Sequence, residues 1–476
     1  MPPDPALAAL LDAHGQGHLL QGADALDPAT LDRHQAEVRA LDLPLIDRLV
    51  ATLVHAEPAA DYDPAEVRPV PVARLPRTDA ERVARRHNAD NGARMLAAGE
   101  VAVVLVAGGQ GTRLGFEGPK GTYPIGPVTG ASLFQIHAEK VLALGRKHGR
   151  AIPFYVMTSP ENHDATAEFF AANGNFGLTH LRLFKQGRMP AVDKATGKIL
   201  LADPGQIALS PDGHGGTLTA LARADEGTSC LEEMRDLGIT TLFYFQVDNP
   251  LVQIADPAFL GLHRAAGAEV SFKVVEKAFP EEKVGVVVEV GGRPRVIEYS
   301  DLSQELAERT APDGGLELWA GSIAIHIFDR AFVERLVTGG ASLPYHRAVK
   351  KVPFVDIAGK KVAPAEPNAI KFETFIFDAL PMATRYAVVE TDRAVEFEPL
   401  KNATGPDSPA TVRARMSDLF AGWLENAGAK VARDADGVVP FAIEISPLYA
   451  VDAEELRHKL PAGTVVEGPT ALGPTP

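Results

Sequence analysis

Val101-Ala102-Val103-Val104-Leu105-Val106-Ala107-Gly108-Gly109-Gln110-Gly111-Thr112-Arg113-Leu114-Gly115-Phe116-Glu117-Gly118-Pro119-Lys120-Gly121 decides how this 476-residue chain is read. The valine-rich apolar run at its start predicts a buried strand. The glycines that follow predict a loop whose backbone can approach an anion closely. Consecutive backbone N–H groups in such a loop cradle phosphate oxygens, while Arg113 and Lys120 add fixed positive charge. The stretch therefore reads as a nucleoside triphosphate loop.

Three loop types compete for it. A Walker A loop needs Lys-Ser or Lys-Thr directly after its last glycine, and here Lys120 lies between Pro119 and Gly121. A dinucleotide fingerprint needs G-x-G-x-x-G with an acid at the end of the next strand. Gly109, Gly111 and Gly115 are one residue too wide for it, and the next strand, 153–158, runs into Ser159 with no acid. The third type fits: L-x-x-G-G-x-G-T-R-L-G-x-x-x-P-K-G, matched from Leu105 to Gly121, resembles the signature loop of the UDP-sugar pyrophosphorylases.

Composition sets the outer limits. A hydrophobic share of 46% and a charged share of 23% are those of a soluble globular protein with a large core and one or two smaller domains. The net charge of −15 argues against nucleic acid or an anionic membrane as partner. An anionic substrate must then be met by locally clustered Lys and Arg. The lone cysteine, Cys230, has no nearby His and reads as a buried small hydrophobe in a reducing cytoplasm. No apolar stretch approaches the length of a membrane helix, and the first residues lack a signal-peptide pattern.

Periodicity then divides the chain. Residues 1–98 read as a helical N-terminal segment, with helical spacing over 31–54, an extended proline-rich stretch at 61–76 and an amphipathic helix at 79–97. From 99 to 400, strands at 101–106, 153–158, 181–184 and 241–247 alternate with helices at 133–145, 163–172 and 217–224. Such alternation implies parallel strands with crossover helices, and ligands on these sheets bind outside the carboxyl ends of the strands. β-rich runs at 271–275, 284–290, 295–299 and 323–328 predict a mixed sheet beside the site. Residues 401–476, with a helix at 410–427, read as a small C-terminal domain.

Further motifs extend the resemblance in order along the chain and point to the UDP-N-acetylglucosamine pyrophosphorylase branch. They are Gln186-Gly187-Arg188-Met189-Pro190-Ala191, Ser210 to Gly216, Val247-Asp248-Asn249-Pro250, Val296 to Ser300, Lys371 to Asp378, and Glu396 to Ala403. The resemblance implies an α/β fold with a Rossmann-like, GT-A-like central mixed sheet flanked by helices. It implies uridylyl transfer from UTP to a sugar 1-phosphate with release of pyrophosphate. By that resemblance Arg113 and Lys120 face the β- and γ-phosphates, and Lys371 and Lys401 face the sugar phosphate and the α-phosphate. Leu105, Gly108, Gly109, Gly111, Gln186 and Gly213 contact the nucleotide. His214, Gly285, Glu298, Ser322, Phe375 and Phe377 surround the sugar. Asp248 holds Mg2+.

Independent chemistry accompanies each assignment. Two polyanions must meet in line, so catalysis is positioning plus charge neutralisation and needs no protein nucleophile. A lone carboxylate at a strand end suits Mg2+, which takes one or two carboxylates plus phosphate oxygens; its other reading is a turn cap with Asn249 and Pro250. Pro250 in place of a second acid disfavours the Asp-x-Asp metal motif of glycosyltransferases. The Gln186 amide can accept from uracil N3–H, which cytosine lacks. His326 sits on an apolar strand and reads as structural. His214 and Ser322 stand where the N-acetylglucosamine branch has Asn, so N-acetylglucosamine 1-phosphate and glucose or another hexose 1-phosphate both stay open. A non-catalytic nucleotide-sugar sensor is the alternative outside enzymology, opposed by the retention of Arg113, Lys120, Asp248, Lys371 and Lys401. The chain is expected to be a cytoplasmic monomer or weak homo-oligomer.

Overall fold

Ten strands of one mixed sheet organise the larger of two structural units. They are β1 (Val67–Pro69), β2 (Val101–Val106), β3 (Phe154–Thr158), β4 (Leu181–Lys185), β5 (Thr241–Gln246), β6 (Val270–Glu276), β7 (Val286–Val290), β8 (Arg293–Ile297), β9 (Ala320–Asp329) and β10 (Tyr386–Glu390). The main path runs β1-β7-β9-β5-β2-β3-β4. β5, β2, β3 and β4 are mutually parallel, whereas β9 lies antiparallel to β5, β6 and β7. The computed structural model describes residues 4–56, 62–224, 227–339, 343–356 and 359–473.

The apolar run at 101–106 forms β2 as read, with five of its residues buried, because β5 and β3 pair with its two edges and Val101, Val103 and Leu105 pack into the main apolar core. The helices Leu133–His148, His163–Ala172 and Asp79–Ala98 also fall where periodicity puts them. The stretch 31–54 does not form one helix. It divides into Pro28–Arg39 and Leu43–Leu49, because Asp42 caps the second by accepting from Leu45 N–H and Pro44 starts it. Within the extended stretch 61–76, Val67–Pro69 joins the sheet against β7, while Asp61 lies outside the described residues.

The domain boundaries differ from the sequence reading. The larger unit comprises Tyr62–Lys185, Leu218–Ala341 and Ala379–Pro476; the other comprises Met1–Asp61, Gln186–Thr217 and Ser342–Asp378. Residues 401–476 are no separate domain. Val412, Met416, Leu424, Ile443 and Leu456 share one apolar core with Val103, Leu105 and Phe245. Residues 62–98 join that core too, through Met95 and Leu96. The smaller unit has its own core, including Leu11, Val38, Ile46, Val192, Ile370 and Phe372, around a sheet of Tyr345–Lys350, Ala369–Thr374 and Val192–Asp193. Among the described residues no helix is long and apolar enough to cross a membrane. Cys230 is buried in the helix Cys230–Asp236, and His326 is buried against Tyr244 and Phe272.

A buried ion cluster braces the larger unit. Lys273, on β6, lies 2.9 Å from Asp256 and 2.8 Å from Glu396, and all three are largely removed from solvent. Burial pushes the Lys273 pKa down, but the two carboxylates outweigh it and hold the ammonium above its ordinary range. Lys273→Ala should cost about 3–5 kcal/mol in denaturant unfolding, because two carboxylates would lose their buried counter-ion. His137 gives a second expectation. It is fully buried, donates from Nε2 to the Val247 carbonyl at 3.1 Å, and burial together with the nearby Lys140 charge lowers its pKa to about 3. An unfolded His titrates near 6.5, so between these values the unfolded chain binds the extra proton. Stability should therefore fall as pH falls from about 6.5 toward 4, and His137→Gln should flatten that part of a melting-temperature profile against pH.

Candidate active site

β2 and β5 are parallel and in register, with Val106 opposite Gln246. The glycine loop and the Val247-Asp248 turn therefore leave the sheet side by side, and Val247 N–H donates to the Val106 carbonyl. Leu105 is fully buried mid-strand between Val156 and Phe245, so its side chain anchors the loop from below. The loop closes on itself: Gly111 N–H donates to Gly118 O and Lys120 N–H to Gly109 O, both at 3.0 Å. Asn162, from the segment after β3, donates to Ala107 O at 2.9 Å and holds the loop from the other side.

Three successive N–H groups, those of Gly108, Gly109 and Gln110, have no internal acceptor among the described residues. A Cβ at Gly109 would meet nothing within 4 Å, so packing inside the chain does not demand glycine there. The position is open toward solvent, as an anion cradle requires. Arg113 is exposed on the single helical turn Thr112–Leu114. The Lys120 Nζ stands 4.0 Å from Asp248 Oδ2, with both side chains mostly buried.

Asp248 is not the turn cap. That work falls to Asn249, which accepts from Leu251 N–H at 3.2 Å and Glu398 N–H at 3.3 Å and donates to Glu396 O at 2.7 Å. Among the described residues no hydrogen bond reaches the Asp248 carboxylate. Its carbonyl accepts from Leu400 N–H at 2.8 Å, which places Lys401 one residue from this contact. Beneath the turn, Lys140 Nζ donates to Pro250 O at 2.6 Å and Val252 O at 2.8 Å. Burial lowers the Lys140 pKa to about 7, and a neutral amine keeps two N–H donors for these two carbonyls.

A second group in the larger unit gathers Gly285, Glu298 and Ser322. Ser322 N–H donates to Gly285 O at 2.8 Å, and a Cβ at Gly285 would lie 3.0 Å from Glu298 Oε1.

Gln186, Gly213, His214, Lys371, Phe375 and Phe377 belong to the smaller unit. The buried Gln186 donates one Nε2–H to Gly213 O at 2.6 Å, which orients the amide with Oε1 as its acceptor. Gly213 has φ of 86°, and a Cβ there would sit 2.3 Å from Thr374 O, so only glycine serves. His214 Nδ1 accepts from Ile376 N–H at 3.2 Å, which fixes the proton on Nε2. Burial, and then the neighbouring His346, lower its pKa to about 4, so the ring is neutral at pH 7. Phe375 stacks on His214 and on His346, at 5.4 and 4.6 Å between ring centres, and Phe377 meets His214 edge-on. Lys371 shares the less buried face of its strand with Glu373.

Sequence reasoning assigned no role to Asn162, Lys140, His346 and Asp378. His346 Nε2 lies 2.7 Å from Asp378 Oδ2, a link from the strand Tyr345–Lys350 to the helical turn Ile376–Met382 that has no local signature. Asn162 holds a loop more than fifty residues away in sequence.

With this geometry in place, comparison with known proteins is direct. Residues 49–422 match the profile of the family described as UTP–glucose-1-phosphate uridylyltransferase. The chain is 38% identical over 480 residues to human UDP-N-acetylhexosamine pyrophosphorylase-like protein 1, covering 94% of this chain and 93% of that one. It is 40% identical over 405 residues to UDP-N-acetylglucosamine pyrophosphorylase of Saccharomyces cerevisiae, covering 82% and 83%. The crystal structure of the Trypanosoma brucei uridine diphosphate N-acetylglucosamine pyrophosphorylase with an inhibitor superposes with a TM-score of 0.82 at 26% identity, over 97% of this chain and 98% of that one. The mixed α/β fold with its mostly parallel central sheet is thus similar to that of solved UDP-sugar pyrophosphorylases, and the chain belongs to the UTP–glucose-1-phosphate uridylyltransferase (UDPGP) family.

Proposed function

We propose that the chain catalyses uridylyl transfer from UTP to N-acetylglucosamine 1-phosphate, forming UDP-N-acetylglucosamine and pyrophosphate. The carrying observation is the unspent Asp248 carboxylate beside Lys120, at the strand edge where three glycine-loop N–H groups lack internal acceptors. In this reading the sheet is the Rossmann-like, GT-A-like platform of a nucleotidyltransferase.

A phosphate oxygen of the sugar phosphate attacks the α-phosphorus of UTP, a new P–O bond forms, and the bond to the pyrophosphate oxygen breaks. No protein nucleophile is required. The glycine-loop N–H groups, Arg113 and Lys120 neutralise the departing pyrophosphate. Lys401 lowers the repulsion between the α-phosphate and the incoming sugar phosphate, a role that the resemblance gives to Lys371 as well. Gln186 Oε1 accepts from uracil N3–H, a match that leaves cytosine unsatisfied. The resemblance assigns Gly285, Glu298 and Ser322 of the larger unit to the sugar, and separately gives His214, Phe375 and Phe377 of the smaller unit the same role.

Mg2+ fits the donor set. Asp248 is a hard oxygen donor free of competing hydrogen bonds, and among the described residues no group of three His, Cys, Asp or Glu side chains forms a protein cage. One carboxylate completed by phosphate oxygens and water is the arrangement Mg2+ prefers. When bound, the ion would supply Lewis-acid neutralisation of phosphate charge. His214 and Ser322 favour a second reading, in which glucose or another hexose 1-phosphate is the acceptor in the same chemistry.

Lys120→Ala or Lys401→Ala should lower kcat by on the order of a hundredfold. Steady-state pyrophosphate release measures this, and activity within a few-fold of wild type would remove that lysine from the mechanism. A panel of UTP with N-acetylglucosamine, N-acetylgalactosamine, glucose and galactose 1-phosphates should give the highest kcat/KM with the first. Pyrophosphate release that persists in excess EDTA would overturn the role of Asp248.

A further inference from the structure

The turn carrying Asp248 is gripped from below by one face of one helix. His137 and Lys140 are three residues apart on Leu133–His148 and so share a side of it. His137 takes the Val247 carbonyl; Lys140 takes those of Pro250 and Val252. Asp248 thus lies between two held carbonyls, Val247 and Pro250. From the opposite direction the 396–400 segment completes the hold, through Leu400 N–H on Asp248 O, Glu396 O on Asn249 Nδ2, and Glu396 Oε1 on Gln253 N–H. The backbone here is irregular, with Ala255 at φ of 48°, so no ladder fixes it and side chains must.

We propose that Lys140 is a positioning residue for the metal carboxylate: by tying the Pro250 and Val252 carbonyls to the helix Leu133–His148, it fixes where Asp248 stands. The inference rests on the proposed uridylyl transfer. Lys140 reaches two backbone carbonyls and acts through them. It differs in this from Lys120, whose ammonium lies beside Asp248 itself. A methionine would fill the same volume but leave both carbonyls unpaired, and the turn would then choose among positions. Glutamine keeps an N–H donor group on a shorter stem, and arginine keeps several N–H donors on a long one.

The test compares Lys140→Met, Lys140→Gln and Lys140→Arg in the full chain. Two readouts are needed: the dissociation constant of Mn2+·UTP from water-proton relaxation, without any sugar phosphate, and the Mg2+ concentration for half-maximal activity. In Lys140→Met both should rise about tenfold or more, as is usual when a residue supporting a metal ligand is lost. The KM for the sugar phosphate should stay within about twofold, since that substrate is not held by this turn. Lys140→Gln should be intermediate and Lys140→Arg close to wild type. A cooperatively unfolding Lys140→Met with wild-type Mn2+·UTP affinity would overturn the proposal. If that variant does not fold, the same result in Lys140→Gln overturns it. Should the wild type bind Mn2+·UTP yet turn over no sugar phosphate, the proposed function fails, while weaker Mn2+·UTP binding in the variants would still support the role of Lys140.

Discussion

The parallel, in-register pairing of β2 with β5 is the constraint on which the phosphate chemistry depends. It sends the glycine loop and Asp248 off the same edge of the sheet, and a shift of one residue would turn each side chain to the other face. That edge then presents two opposed demands. Unpaired N–H groups and Lys120 attract phosphate, while the Asp248 carboxylate repels it. At a separation of about 4 Å and an effective dielectric near 20, each unit of like charge costs about 4 kcal/mol. A divalent cation placed between carboxylate and phosphate reverses that sign. Under the proposed uridylyl transfer such a cation would complete the site, with Lys120 as the ammonium that balances Asp248 in its absence.

An unspent carboxylate is available only because other groups hold the chain around it. Asn249 caps the turn, the helix Leu133–His148 holds three carbonyls, and Glu396 fastens Asn249 and Gln253. Glu396 is itself fixed by Lys273 and accepts from Thr391 Oγ1 at 2.6 Å. A buried ion pair of this kind contributes little net stability over a well-packed apolar pair. What it supplies here is position: a fixed carboxylate can receive backbone donors that an apolar side chain would leave unmatched.

Much of this was legible in the sequence, and the reasons can be traced. β2 was readable because a strand buried on both faces has no polar alternation to blur it. The glycine loop was readable because its residues act locally. Gly285, Glu298 and Ser322 came from separate stretches, and the structure brings them together. The division of the chain was not legible. The smaller unit is assembled from three distant stretches, a fact of tertiary packing that leaves no mark on composition. The C-terminal residues changed composition and so resembled a domain, yet the apolar side of Pro409–Asn426 completes the same core as β2. For Asp248 and Asn249 the sequence offered both a cap and a ligand among adjacent residues. The hydrogen bonds assign the capping to Asn249.

His214, at a position where the resemblance implies Asn, shows how such an exchange would leave the proposed chemistry intact. An Asn side chain offers one donor group and one acceptor. In His214 the acceptor, Nδ1, is spent on Ile376 N–H, and the donor, Nε2–H, remains. Stacking on Phe375 and burial keep the ring neutral, so it adds no charge toward a phosphate. The exchange preserves a donor and turns an acceptor inward. A sugar substituent that accepts, whether an acetamido carbonyl or a hydroxyl, can meet that donor, whereas one that needs an acceptor in return cannot find it on this ring. Any discrimination that Asn would make by accepting from an acetamido N–H must therefore pass to other groups, and the transfer of the uridylyl group does not draw on it.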